Sequence, residues 1–203
     1  MNKCLKMSKG EIIAFLGSDD MSEPDAILSV VEFYRSNPDV YFVFGGCNHI
    51  NEKNEIIRRF DSKDFNLDEI LNNGCYVPTP SSFYRRKVVE TVGYYDALGN
   101  DLEYLLRVAK VFKIYHIDKV LSNFRVHEGS QTSGTSKNIR KMWSREDCKA
   151  SRKYGGRFFS VYCRSYYKLV LIEPFRPVID VVHPILYPIL KRIKKAILGA
   201  KNK

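Results

Sequence analysis

Apolar runs and polar breaks alternate along this chain at two different periods. Residues 12–16, within an expected strand at 11–17, form an apolar run that ends in a small-residue turn and two adjacent acids, Gly17-Ser18-Asp19-Asp20. Such a run predicts a buried strand whose C-terminal end carries carboxylates into a crevice, where open α/β sheets take their ligands. Residues 2–9 read as the end of a helix, closed by Gly10. Ser22-Glu23-Pro24 predicts a helix start with Ser22 as cap and Pro24 in the first turn. Ile27, Val30, Val31 and Tyr34 then recur at helical spacing until Asn37-Pro38 stops it. Residues 40–46 predict another buried strand, 51–54 a turn and 55–60 a returning strand. Short helices are expected at 67–73 and 86–92, ended by Gly74 and Gly93, with a strand at 81–84 between them. Residues 101–112 repeat at the helical period, with Leu102, Leu105, Leu106 and Ala109 facing inward. Residues 113–117 and 120–126 predict two strands around a turn at Asp118-Lys119, and 129–136 a polar loop. Two basic helices follow, near 137–154 and 158–172.

At 203 residues the chain suits one domain plus an appendage. Charge marks the division. Residues 1–136 hold 16 Lys and Arg against 19 Asp and Glu, whereas residues 137–203 hold 17 against 4. The front is a mildly acidic domain (1–136) and the back a basic helical extension (137–203), an asymmetry that points to an anionic partner surface. Five scattered cysteines without a CxxC pair predict free thiols in a reducing compartment rather than a zinc site. Residues 1–6 lack the apolar core of a secretory signal, and no window reaches eighteen uninterrupted apolar residues.

Four constellations carry candidate chemistry, each with a plainer alternative. Asp19 and Asp20 suit a hard divalent cation, or cap the next helix. Asp101 opens an amphipathic helix; it serves as a general base if it faces the same crevice, and otherwise Asn100 or Asp101 is an N-cap. Arg125 and His127 alternate on a strand and so share a face, able to reach phosphate oxygens or complete a metal shell, unless His127 is structural. Ser81 and Ser82 could line an acceptor pocket, with Arg85-Arg86 beyond them as solvated surface.

In this order the pieces resemble the family-2 glycosyltransferases, the inverting enzymes of the A-type nucleotide-sugar fold. The matching text is Lys9-Gly10-Glu11 with the run to Ser18-Asp19-Asp20, then Pro80-Ser81-Ser82-Phe83-Tyr84-Arg85-Arg86, Val92-Gly93-Tyr94-Tyr95-Asp96, Asn100-Asp101-Leu102-Glu103 and Phe124-Arg125-Val126-His127. The resemblance covers residues 2–130. It implies an α/β fold, a partial Rossmann-like A-type sheet lacking its first βαβ half, plus C-terminal helices. It implies Mg²⁺ or Mn²⁺ held by Asp19, Asp20 and His127, with Ser18, Arg125 and His127 meeting the donor. Asp101 then matches the catalytic base, and Ser81, Ser82, Tyr95 and Asp96 stand on the acceptor side. The implied substrates are a UDP-, GDP- or dTDP-sugar and a cell-surface glycan or lipid-linked acceptor. Gly17 stands where the family's first motif Asp is usual. A chain without the opening half is expected to bind donor poorly, and a catalytically inactive, membrane-associated subunit is the rival reading.

The segment 185–200 carries Ile189, Leu190, Ile193, Ile197 and Leu198 as a stripe opposed by Lys191, Arg192, Lys194 and Lys195. That pattern predicts a helix lying on an anionic membrane, or one packed on its own domain. The expected location is cytoplasmic, peripheral on the membrane face. No nucleic-acid-binding motif is present, so nucleic acid is not an expected partner.

Overall fold

The computed structural model describes residues 1–60, 62–130 and 136–175. In chain order these form α1 (Asn2–Met7), β1 (Ile12–Ala14), β2 (Met21–Ser22), α2 (Ala26–Ser36), β3 (Phe42–Ile50), β4 (Ile56–Phe60) and α3 (Leu67–Asn73). There follow β5 (Ser82–Arg85), α4 (Arg86–Val92), α5 (Asp101–Ala109), β6 (Ile114–Arg125), α6 (Lys137–Lys153) and α7 (Val161–Tyr167). The chain divides into two units, Met1–Cys163 and Arg164–Lys203. In the second, the described residues run from the end of α7 through a π-helical stretch, Lys168–Ile172, and a 3₁₀ turn, Glu173–Phe175.

The six strands form one sheet in the order β1-β5-β3-β6-β2, with β4 on β3. β3 is buried along almost its whole length, as a central strand must be. It pairs in parallel with β6 and antiparallel with β5 and β4. Its first half meets β5 (Phe42↔Tyr84) and its second half meets β4 (Cys47↔Phe60). Side chains alternate across it. Phe42 and Phe44 enter the larger core, beneath α3, α4, α5 and α6, while Val43 enters the smaller one, beneath α2.

Five local expectations change. The first strand is only Ile12–Ala14, because residues 15–20 turn away to carry the acids. Ser22 is not a cap: it lies in β2, paired with Ser122, and α2 begins after Asp25. The buried face of α2 keeps Val30 and Tyr34 of the expected stripe but takes Ala26 in place of Ile27, which is 67% exposed. The two strands expected around Asp118-Lys119 are one continuous strand, β6, whose register against β3 shifts at Gly46. Gly45 permits that bulge, since a Cβ there would lie 2.5 Å from the Lys119 carbonyl oxygen. Finally, Cys148 and Cys163 form a disulfide, their Cα atoms 4.6 Å apart, while Cys4, Cys47 and Cys75 are free. The return of the chain through Gly155-Gly156 brings α6 and the start of α7 together, which spacing alone did not reveal. The expected membrane-surface segment at 185–200 and most of the 129–136 loop lie outside the described residues. Among the described residues no helix is long and apolar enough to cross a membrane.

Candidate active site

A cavity of about 920 Å³ opens on the face of the sheet covered by α5 and α6. Its floor is Cys47 and His49 of β3, Phe60 of β4 and Phe124 of β6; its walls are the loops at 75–80 and 95–100, the start of α5, and one face of α6. His49 stacks on Phe60, with centroids 6.0 Å apart, and lies 5.4 Å from Phe124, so an aromatic floor underlies the cavity. Burial, and then the charge of Arg58, lower the pKa of His49 and favour the neutral ring.

Asp101 is on the cavity wall. Asn100, not Asp101, caps α5: its side-chain oxygen accepts from the Glu103 amide at 2.8 Å. That leaves the Asp101 carboxylate free of the capping role, with Thr79 Oγ1 donating to it at 3.0 Å. Desolvation by the surrounding protein raises its pKa above the ordinary value, and the Thr79 bond offsets part of that rise. Behind it Tyr95 stacks on Tyr104 at 4.0 Å, and Tyr84 lies 6.0 Å from Tyr104.

The paired acids adjoin this cavity rather than line it. Asp20 Oδ1 accepts from the Arg125 amide at 2.9 Å, one residue beyond the lining Phe124, and the Asp20 charge reaches the lining Cys47 thiol. Asp19 Oδ2 lies 3.0 Å from His127 Nε2. That hydrogen bond is the main cause of a lowered Asp19 pKa. The remaining oxygens of both acids converge: a Cβ added to Gly17 would lie 2.6 Å from Asp20 Oδ2 and 2.9 Å from Asp19 Oδ1. Among the described residues no three His, Cys, Asp or Glu side chains gather into a metal-binding group, so Asp19, Asp20 and His127 do not assemble as a closed triad. Two carboxylates with convergent free oxygens nevertheless fit a hard cation that takes its other ligands from phosphate and water.

The other candidates divide. Ser18 is exposed in the turn. Arg125 is a clamp: Nε donates to the Asp19 carbonyl and Nη1 to the Asn51 carbonyl, both at 2.8 Å. Ser81 is fully buried, donating to the Gly46 carbonyl at 2.7 Å and lying 2.6 Å from Ser122 Oγ, and it does not line the cavity. Ser82 is buried and donates to the Pro78 carbonyl. Tyr95 and Asp96 do line the cavity, with Asp96 Oδ1 accepting the Leu98 and Asn100 amides. Arg85 is not solvated surface: it donates to the Val40 and Tyr34 carbonyls and pairs with Glu11.

Sequence reasoning missed Thr79, Trp143, Glu146 and Asp147, all lining the cavity. Trp143 is the chain's single tryptophan, and Glu146 and Asp147 are two of only four acids after residue 136. Those rarities were the available signal.

With this geometry in view, the comparisons with known proteins converge. The model of glycosyl transferase family 2 matches residues 1–93. A glycosyltransferase of Methanocaldococcus jannaschii is 23% identical over 131 residues, 62% of this chain and 45% of that protein. The chondroitin synthase of Escherichia coli is 25% identical over 142 residues, 69% of this chain and 21% of that one. Staphylococcus aureus TarS, residues 1–349, solved with UDP, superposes with a TM-score of 0.51 at 15% identity, covering 87% of this chain and 55% of that one. The fold is therefore part of an A-type glycosyltransferase fold, and residues 1–93 are similar to glycosyl transferase family 2. It spans less than half the length of the curated relatives it matches.

Proposed function

We propose that the chain provides the acceptor side and the cation-binding acids of a glycosyltransferase. That enzyme moves a sugar from a nucleotide-diphosphate donor to a glycan or lipid-linked acceptor, with inversion. The observation that carries this reading is Asp101: a carboxylate with a raised pKa on the wall of a large cavity, free of the capping role, which Asn100 takes. A raised pKa makes a carboxylate a stronger base, which suits it to take the proton of an acceptor hydroxyl as that oxygen attacks the anomeric carbon. Thr79 holds the Asp101 carboxylate in place for that transfer. The aromatic floor of His49, Phe60 and Phe124 offers an apolar face for a sugar ring.

Asp19 and Asp20 would hold Mg²⁺ or Mn²⁺, whose charge offsets that developing on the departing diphosphate. His127 keeps Asp19 ionised and oriented, and Arg125 fixes the turn carrying both acids to the end of β6. TarS, bound to UDP, supports a UDP-type donor. Residues 185–200 would anchor the protein on the anionic cytoplasmic face of a membrane during glycan assembly.

The test is release of nucleotide from UDP- and GDP-sugars with Mn²⁺, by the protein and by its Asp101→Asn variant. A loss of about 10²–10⁴-fold in the variant is expected. Equal rates would refute the base assignment. No turnover in either would favour the second reading, a catalytically inactive subunit.

A further inference from the structure

The charge on the cavity walls restricts what the cavity accepts. This argument rests on reading the cavity as the acceptor site. Four acids line it, Asp96, Asp101, Glu146 and Asp147, and among the described residues no Lys or Arg does. Two of the four are answered locally. Asp96 is satisfied by backbone amides, and Glu146 pairs with Arg145 and Lys149. Neither Asp101 nor Asp147 pairs with a Lys or Arg among the described residues: Thr79 donates to one and Asn100 Nδ2, at 3.0 Å, to the other, and the Met1 amino group acts on Asp101 through its charge alone. Burial raises the pKa of both, and the charges of Asp101 and Glu146 raise that of Asp147 further.

Two further observations mark this corner as built for a polar, uncharged ligand. Trp143 stands one helical turn before Asp147 on α6, so indole and carboxylate share one face. Next to Asp101 is a chamber of about 40 Å³ that shares Cys75, Val77, Thr79, Tyr95 and Asp101 with the main cavity. Tyr84 and Tyr104 line it, each 2% exposed; their hydroxyls make no close hydrogen bond and interact weakly with each other, and Tyr84 also with Tyr95.

We propose that the cavity takes an acceptor sugar that is neutral or amine-bearing and rejects one carrying a carboxylate, sulfate or phosphate. Trp143 is the stacking face and Asp147 the charge filter. Sugar hydroxyls donate to Asp147 while the ring's C–H face lies on the indole. An ammonium group gains from both the carboxylate and the indole. An anionic group meets four carboxylates and no Lys or Arg on the described walls, with the Met1 amino group, on the Asp101 side, as the one opposing charge named there.

The single tryptophan makes the test direct, since emission excited at 295 nm comes from Trp143 alone. The full chain is titrated with three trisaccharides of one β-1,4-glucan backbone: cellotriose, its 2-amino counterpart and its 6-carboxylate counterpart. The neutral and amino trimers are expected to shift the emission at concentrations at least about tenfold below the acidic one. Asp147→Asn, which retains an acceptor for Asn100, should narrow that gap to less than about threefold while leaving Tm in place. The proposal is overturned if the acidic trimer binds as tightly as the neutral one, if the gap survives Asp147→Asn, or if no trimer moves the Trp143 emission. Donor turnover plays no part in this measurement, so its failure is separable from failure of the glycosyltransferase reading.

Discussion

Ser81 decides whether the Pro80-Ser81-Ser82 loop touches substrate or holds the sheet. Its hydroxyl donates to the Gly46 carbonyl and contacts Ser122 Oγ, and Ser122 in turn donates to Cys47 Sγ at 3.4 Å. All of this lies where the register of β3 against β6 shifts, a place with an irregular backbone ladder. Ser81→Ala removes a donor from a buried carbonyl and a partner from a buried hydroxyl. An unsatisfied buried polar group costs about 1–3 kcal/mol. Ser122 can turn toward one vacated partner but not both, so a net loss of about 2 kcal/mol is expected. At roughly 2–4 °C per kcal/mol for a unit of this size, Tm falls by about 4–8 °C. Turnover at a temperature well below Tm should stay within about threefold of the parent, because Ser81 does not line the cavity. A double-mutant cycle with Ser122→Ala should show a coupling of at least about 0.5 kcal/mol. A Tm unchanged within 1 °C alongside a raised acceptor KM would refute this and return Ser81 to the acceptor side.

Three further outcomes follow from the same geometry. Thr79→Val removes the hydrogen bond that lowers the Asp101 pKa, so that pKa rises further, the base loses its proton at higher pH, and the acid limb of kcat/KM moves upward; a limb that stays put or moves down contradicts the role given to Thr79. Gly17→Ala pushes a methyl group into the space where the Asp19 and Asp20 oxygens converge, and Mn²⁺ affinity, followed by electron paramagnetic resonance, should weaken about 10–100-fold, as when the support of a ligand is disturbed. Unchanged affinity would place the cation elsewhere. Gly45→Ala sets a Cβ 2.5 Å from the Lys119 carbonyl oxygen and 2.7 Å from the Leu121 side chain, and should cost about 1–3 kcal/mol, seen as a lower urea midpoint at constant slope.

What the sequence disclosed was whatever depends on local periodicity and local chemistry. The strand before Asp19, the helix opened by Asn100-Asp101 and the hairpin of β3 and β4 each announce themselves within about ten residues. What it withheld depends on contacts between distant segments. Ser81 is a small polar residue in a proline-rich loop, a pattern that normally means surface, and only the junction of β3 with β6 buries it. Glycine at 45 gives no hint of a bulge until the Lys119 carbonyl is found against it. The α6 helix is so rich in charge that it reads as a solvated appendage. Yet Ala150 joins the larger core and Ser151 donates to the Leu71 carbonyl, and that docking turns Trp143 and Asp147 toward the cavity.

The strongest support for the catalytic reading is that two acids in one region are pushed in opposite directions. Asp19 accepts from His127, and its pKa is lowered, so it stays ionised across the working range as a cation ligand must. Asp101 opens to the cavity, partial desolvation there raises its pKa, and it holds a proton more readily, which suits the proposed base. Environments that separate titratable groups in this way are how one site assigns different tasks to like residues. The same shift has a thermodynamic sign. A carboxylate whose pKa is higher folded than unfolded destabilises the fold once pH exceeds the unfolded value, and that cost is relieved as pH falls through the folded value. Asp101 therefore opposes stability at neutral pH, by an amount that its exposure to solvent keeps small. Its Thr79 bond offsets part of that cost while leaving the carboxylate open to the cavity, an arrangement that fits the proposed proton transfer.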